Sequence, residues 1–545
     1  MIIQRALFSN ETVQTTNEKQ TRPRKVVFKP YCQTQDFLLP KSVGEFITPG
    51  HIAKLVSTII DDMDIRFITE TYLGGGTSAY DPKMLLKSWI LGFVNKVYTS
   101  RNLAKQLREN LTFIWISGNQ RPDFHTLNNF RLRLKEDIKI IFKQIVRFAL
   151  KKGIIDGKDV FIDHTKKEAN ANKHKVVWKK RVEHQLGKID QELDQLLDYI
   201  DSLNEAEDKI FGDEDLPEQE RTGFDKDKVK EIVDAINNRV KSNKMSREKG
   251  RDARKKVRRT GDLSERKERY EEQKKILNER RSYSKTDTDA VAMIMKDKMT
   301  IRPAYNEGIV TEKGFVLNFV ISDRSADNVS FIPLMNGVIS NTEKTPENAN
   351  SDGAYGNEEN HGFLEEKGIN NFLKYNTFRK ERSKKWREKQ IRFESFKYNK
   401  ENNLFVCPNG AELPFYKQRD ETSATGYVRT VSIYRSKENT CTDCPFRAKC
   451  TKSNAKSLQI SWKAERLKQQ AKKNLESKKG MELRKRRGNE VESVFGDAKL
   501  NGAKRRYLLR GLQKVNLEAG MYYIAHNIRK IQRVLFEQKS DVLAR

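Results

Sequence analysis

The sequence predicts a mixed α/β protein, preceded by an all-α region and interrupted by a long helical insert and a smaller cysteine-bearing one. Three observations carry this. The runs at 158–163, 302–309 and 314–322 have the β-branched and aromatic composition of buried strands. Val182, Leu186, Ile189, Leu193, Leu196, Ile200 and Leu203 recur in alternating steps of four and three, the heptad seam of a coiled-coil-like helix. Cys407, Cys441, Cys444 and Cys450 fall in one stretch of a chain with 5 cysteines, too few for a disulfide framework.

Taken in order, residues 1–30 are polar and basic and predict a loose segment. From about 42 to 151 the chain reads as helical. Glycines 74–76 mark a loop, and Asp81-Pro82 marks a helix start with proline in its first turn. Thr99-Ser100 caps RNLAKQLREN, and DFHTLNNFRLR (123–133) is a second short helix. With a turn near Gly118, the pair reads equally as a DNA-reading helix-turn-helix or as part of a helical packing domain. KDVFID (158–163) predicts a buried strand that ends on Asp163. Val229, Ile232, Ile236 and Val240 predict a returning helix. The runs 302–309 and 314–322, separated by residues 310–313, predict a hairpin. A helix is expected over 326–339. Asp352 is expected at another strand end, although ENANS before it is polar where a buried strand is usually apolar. Residues 374–400 are basic and aromatic, and 463–535 read as helical and basic.

Lys and Arg total 106 against 75 Asp and Glu, a formal charge of +31. Such an excess requires a polyanionic partner, either nucleic acid or an anionic membrane surface. Residues 241–281 alone hold 17 basic and 8 acidic side chains. The apolar runs at 89–94 and 315–321 fall far below the ~18 residues that span a bilayer. The start MIIQRALFSNETVQ has no apolar signal core, and the cysteine usage fits a reducing compartment. A cytoplasmic protein with no membrane partner is therefore expected. No phosphate-binding glycine loop of the ATPase type is present. His164 follows Asp163 and, on a strand, points to the opposite face.

Three acids stand out by context: Asp163, Asp352 in SDGAYGNEEN, and Glu492 in EVESVFGDAK. Phe495 and Lys499 lie three and seven residues beyond Glu492, on one face if the segment is an α-helix. Carboxylates gathered from strand ends and a helix suit hard divalent cations and phosphoryl transfer. The ordered segments FIDHTKKEANANK, SYSKTDTDA, RPAYNEGI, SDGAYGNEEN, VESVFGDAK and RRYLLRGLQKV resemble a bacterial insertion-sequence transposase of the DDE class. The resemblance is to the branch with a helical amino-terminal domain and a cysteine cluster before the last acid, and it runs from about residue 31 to 535. It implies an RNase H-like core, a mixed sheet flanked by helices, assembled from 152–175, 290–372 and 480–535. Around that core it implies a helical DNA-binding domain at 31–151, a helical insert at 176–289 and a basic, cysteine-bearing insert at 374–478. Asp163, Asp352 and Glu492 would be the catalytic triad and bind Mg²⁺ (or Mn²⁺). Some relatives carry a tyrosine seven and an arginine four residues before the glutamate, where this chain has Lys485 and Gly488. Glu490 would put Arg486 at the arginine spacing but loses the phenylalanine and lysine spacings. Glu492 is therefore the first choice and Glu490 the second.

The activity that the resemblance implies is metal-dependent strand cleavage and strand transfer at the ends of the protein's own insertion sequence. Its partners would be double-stranded DNA, as terminal inverted repeats and as target. Holding two ends together implies a homodimer, and the heptad seam could serve as its interface or as an intramolecular hairpin. Lys499, Arg505 and Arg506 near the triad are expected to contact DNA. So are Lys384, Lys385 and Arg387, by charge, with Trp386 and Phe393 stacking beside them. The pattern C-x33-C-x2-C-x5-C fits a structural zinc site, while buried thiols or an iron–sulfur cluster share it. Cys32 stands apart. Two other readings compete: a catalytically inactive DNA-binding protein derived from such an enzyme, and a structural coiled-coil protein with basic arms.

Overall fold

The computed structural model describes residues 42–72, 78–211, 226–242, 245–295, 297, 299–389, 391–501 and 505–543. Residues 1–30, Cys32 and glycines 74–76 lie outside these. The chain divides into a unit of residues 1–47, described only over 42–47, and a unit of residues 48–545. Everything below concerns the larger unit.

Among the described residues it opens with α1 (Ile52–Asp61), α2 (Arg66–Thr69), α3 (Pro82–Val94), α4 (Ser100–Glu109), α5 (Leu111–Ile116), α6 (Phe124–Arg133) and α7 (Ile138–Lys151). Capping chemistry sets the starts. Asp81 accepts from the Met84 N–H with Pro82 at the first position, Thr99 accepts from Asn102 N–H and Asp123 from Thr126 N–H. α3 is apolar around most of its circumference because it is buried on nearly every side. The two helices expected about Gly118 are three. Asn110 caps the run LTFIWI into α5, and Gly118, at φ 58°, joins α5 to α6.

The core sheet is built from β1 (Asp159–Glu168) and, after β2 (Val176–Trp178), α8 (Lys179–Phe211), α9 (Lys226–Lys241), α10 (Arg247–Leu277) and β3 (Ser282–Ser284), from later strands. These are β4 (Val291–Ile294), β5 (Ile301–Glu312), β6 (Phe315–Ser322), then α11 (Phe331–Thr342), β7 (Asn348–Ser351), α12 (Glu358–Glu366) and β8 (Asn370–Leu373). β5 is antiparallel to β1 and β6, while β1, β7 and β8 are mutually parallel neighbours. The order across the sheet is thus β6-β5-β1-β7-β8, with β4 beside the start of β5. The hairpin turn is shorter than expected: Lys313 and Gly314 both take positive φ, the two-residue turn whose twist matches its strands.

β1 runs five residues past Asp163, because its pairing with β5 continues to Glu168. The carboxylate is therefore not at a strand end, as KDVFID suggested. β7, however, is short, and its last pair with β1 is Phe161↔Asn350. From Asp163 onward that edge of β1 meets side chains and one isolated bridge, Glu168↔Arg506. β7 is fully buried despite the sequence NANS. Asn348 donates to Asp159 at 2.8 Å and accepts from Asn370 at 3.0 Å, so hydrogen bonds replace the apolar contacts expected there.

The heptad seam is filled by its own chain. Val182 and Leu186 pack with Leu277, and Ile189 and Leu193 with Leu263, both on α10. α9 forms, but its Ile232 and Ile236 pack on Ala253 and Val257 of α10, so α10 and not α9 covers the described seam. The side chains of Ile200 and Leu203 lie outside the described ones. Next come α13 (Lys384–Lys389), β9 (Lys397–Asn399), β10 (Leu404–Val406), β11 (Glu412–Thr422), β12 (Val428–Arg435), α14 (Arg447–Cys450) and β13 (Ser457–Ile460). Their strands form a separate antiparallel sheet, ordered β13-β12-β11-β10-β9, around Phe396, Phe405, Leu413 and Tyr434. The chain ends with α15 (Trp462–Glu476), α16 (Lys478–Arg487), α17 (Ser493–Gly496) and α18 (Leu512–Leu543). α18 is buried along most of its length against α3, α7 and β6, so one hydrophobic core joins the amino-terminal helices to the sheet. Among the described residues no helix is long and apolar enough to cross a membrane.

Candidate active site

The parallel pairing of β1 and β7 brings Asp163 and Asp352 to the same level. Each lies two residues beyond the Phe161↔Asn350 pair. Both face Arg487, at the end of α16: its Nη2 lies 3.1 Å from Asp163 Oδ2 and 3.9 Å from Asp352 Oδ2. The Arg487 side chain is only 14% exposed, and its Nε is buried without a partner. An ion pair with so little water about it is screened less than a surface pair, whose worth is ~0–1 kcal/mol. Two carboxylates sharing one cation are the donor set that a hard divalent ion takes, so the pair fits such an ion.

The loop after β7 is fastened to β1 from the other face. His164 points away from Asp163, as strand alternation requires, and its Nδ1 bonds the hydroxyl of Tyr355. Burial pushes the His164 imidazole down to about 3, so it is neutral. A side chain at Gly308 on β5 would collide with the imidazole, the added Cβ falling 2.3 Å from Nε2. Gly356 is needed for a second close approach, because a Cβ there would lie 2.3 Å from the carbonyl of Lys374. Lys374, just past β8, is itself buried. Burial, and then the cations Arg487, Arg379 and Arg484, bring its ammonium down to about 8. Lys499 Nζ donates to Thr165 Oγ1 at 2.5 Å. Thr165 is two residues beyond Asp163 and on the same strand face, so this cation borders the acidic pair.

The segment carrying Glu492 is not a regular α-helix. Residues Gly488–Glu492 and Asp497–Asn501 are π-helical, with i→i+5 bonding in place of i→i+4. Between the two turns Ser493–Gly496 is α-helical, with Glu492 exposed and Phe495 buried. Glu490 is committed elsewhere. Its Oε2 accepts from the Gly314 N–H at 2.7 Å, and its Oε1 pairs with Arg486 at 3.3 Å. The structure thus brings Asp163 and Asp352 together with Arg487. It does not gather Glu492 with them: among the described residues, no three of His, Cys, Asp and Glu form a group that could hold a metal ion. Arg487, Lys374 and Thr165 were not singled out in the sequence. The one available signal was the arginine expected shortly before the last acid.

The other named cations divide. Arg505 is exposed. Arg506 donates to the carbonyls of Ala169 and Ala171 at 2.9 and 2.8 Å, which anchors the end of β1. Lys384 is 85% exposed beside Glu388, while the side chains of Lys385 and Arg387 lie outside the described ones. Half-buried Trp386 has the Arg392 guanidinium over its ring at 3.7 Å, and half-buried Phe393 packs on Phe405. The four cysteines line one cavity of about 20 Å³ between the turn after β10, the loop after β12 and α14. The Ala411 N–H donates to Cys407 Sγ at 3.3 Å, across a turn that Gly410 closes at φ 80°. Burial, with the three neighbouring cysteines, pushes the Cys450 thiol up.

Residues 406–532 match a family model described as a transposase DDE domain, and residues 41–133 match one described as a transposase domain (DUF772). The two matches support a bacterial insertion-sequence transposase of the DDE class, the family that the ordered motifs resemble. The first spans the cysteines, Glu492 and Lys499, and begins after Asp163 and Asp352. No curated protein and no solved structure matches the chain.

Proposed function

We propose that this chain cuts and rejoins DNA at the ends of its own insertion sequence, using Asp163, Asp352 and Glu492. The observation that carries this is the pair of aspartates on adjacent parallel strands, facing one guanidinium. The strand order β6-β5-β1-β7-β8, with β5 antiparallel, supports an RNase H-like core. Asp163 and Asp352 would hold a divalent ion, Mg²⁺ or Mn²⁺, and Glu492 on its π-helical turn would complete the set. When bound, such an ion polarises phosphoryl oxygens and lowers the pKa of bound water. The chain's own part is electrostatic. Arg487, Lys374 and Lys499 surround the acids with positive charge, which holds the DNA backbone against a pair of carboxylates that would otherwise repel it. DNA of both strands, from terminal repeats and target, would be the substrate.

The test uses a labelled duplex carrying the inverted repeats that flank the gene, with Mg²⁺. Asp163→Asn and Asp352→Asn should each abolish strand cleavage while leaving DNA affinity within about twofold. Wild-type cleavage by both variants would overturn the assignment. Wild-type protein that binds the repeat and never cuts it would favour the inactive DNA-binding reading instead.

A further inference from the structure

We infer that the distal half of α10 is a second docking surface for the phosphate backbone of duplex DNA, remote from the acidic pair. Its charge is unevenly distributed. Residues 247–259 hold eight basic and two acidic side chains, while residues 260–277 hold five of each. The balanced half is paired with the neighbouring helix: Lys267 meets Asp190 at 2.9 Å, and at the boundary Arg259 meets Glu192 at 2.8 Å, both acids on α8. The distal half has a stripe with no such partners. Arg247, Arg251, Lys255 and Arg258 are all exposed, and among the described residues none of them forms an ion pair. Steps of four, four and three put them on one helical face. The buried side of α10, at Gly250, Ala253, Val257 and Thr260, is the opposite one, packed on α9.

A face that is merely solvated interleaves both signs, and this one does not. The stripe is about 16 Å long at 1.5 Å per residue. Over that length a duplex presents about nine phosphates, one per ~1.7 Å of axis, so four cations can be met without bending it. The stripe begins about 28 Å along α10 from the junction with β3. DNA held there lies on a different stretch of the duplex from the one at Asp163. The inference takes DNA as the partner from the proposed function, but it does not depend on cleavage.

The experiment measures anisotropy of a labelled 30-bp duplex of arbitrary sequence with the full chain, without divalent metal, from 50 to 200 mM salt. The variant is Arg247→Gln, Arg251→Gln, Lys255→Gln and Arg258→Gln together. The control is Arg269→Gln with Lys274→Gln, on the balanced half of the same helix. At about 0.9 per phosphate contact, the four substitutions should lower the log–log salt slope by about 3.6. Across this salt range, wild type should then lose about 100-fold more affinity than the variant. An unchanged slope in a variant with wild-type circular dichroism would overturn the inference, as would an equal loss in the control. Tighter binding to phosphatidylserine vesicles than to duplex would also overturn it, in favour of a membrane partner. An Asp163→Asn protein that no longer cuts but keeps the wild-type slope would leave the arm standing while the catalytic assignment is judged separately.

Discussion

Arg487→Gln should increase the affinity of the acidic pair for a divalent cation. The guanidinium lies 3.1 Å from Asp163 and 3.9 Å from Asp352, so a metal ion at the pair must displace it. The first contact is the closer. Asp163 and Arg487 are 19% and 14% exposed, so this ion pair reaches at least the ~1 kcal/mol upper end of surface pairs. Asp352, at 41% exposed, adds a screened Coulomb attraction worth less. Removing the competitor should therefore tighten binding by at least about fivefold, at 1.4 kcal/mol per decade. Titration of Mn²⁺ followed by the paramagnetic resonance of the free ion reads this directly, without DNA and without turnover. Wild type should bind weakly, Arg487→Gln tightly, and Arg487→Gln with Asp163→Asn hardly at all. Equal affinity in wild type and Arg487→Gln would refute competition at this site. Binding that survives Asp163→Asn would place the ion elsewhere.

The two glutamates separate by their partners. Glu490→Ala leaves the buried Gly314 N–H without its acceptor and should cost ~1–3 kcal/mol in urea unfolding, whereas exposed Glu492→Ala should change stability by less than ~0.5 kcal/mol yet abolish cleavage; the opposite pattern would exchange their roles. The four cysteines line one cavity without forming a group that could hold a metal, so zinc must draw the thiols together. Metal analysis should find about one zinc per chain, lost in Cys441→Ser, and a zinc-free, fully folded wild type would remove the site. Burial, with a hydrogen bond shared with Asp156, raises the Glu312 carboxyl from the usual 4.5 to about 7. In that window the folded chain keeps a proton that the unfolded chain releases, so this contribution is full below pH 4.5 and falls as pH rises toward 7. Glu312→Gln should flatten the decline by up to about 1.4 kcal/mol per pH unit. Identical shifts of the urea midpoint between pH 5 and pH 7 in both proteins would refute the assignment.

The heptad seam, the helix caps, the hairpin and the strand before Asp163 were legible in the sequence because each depends on local periodicity or on one hydrogen bond near in the chain. Three features were not. NANS forms a buried strand because Asn348 finds Asp159 and Asn370, partners 189 and 22 residues away that no local pattern announces. β1 outlasts its apolar run because β5 continues beside it, and the parallel strand that stops early, β7, is what leaves Asp163 accessible. Phe393, read as a ring for nucleic acid because basic residues surround it, also packs half-buried against the nearby sheet's core. In each case tertiary pairing decided what composition left open.

The arginine shows the same effect at the level of one residue. By α-helical counting the residue four before Glu492 is Gly488, and the expected arginine is missing. The turn Gly488–Glu492 is π-helical, so residues five apart stack along it. Arg487 is five before Glu492, and it is the residue that reaches both aspartates. The π-helical turn thus places Arg487 one turn before Glu492 and against the aspartates. If packing of α16 and α17 holds this turn, the glycine itself is not required. Gly488 has ordinary helical angles, φ −57° and ψ −50°, and an added Cβ would meet nothing within 4 Å. Gly488→Ala should then gain about 0.5–1 kcal/mol from helix propensity and keep the wild-type Mn²⁺ affinity. A Gly488→Ala protein that bound Mn²⁺ as tightly as Arg487→Gln would mean that the turn had reverted to α-helix and carried Arg487 off the acids. The wider turn would then depend on glycine rather than on its neighbours.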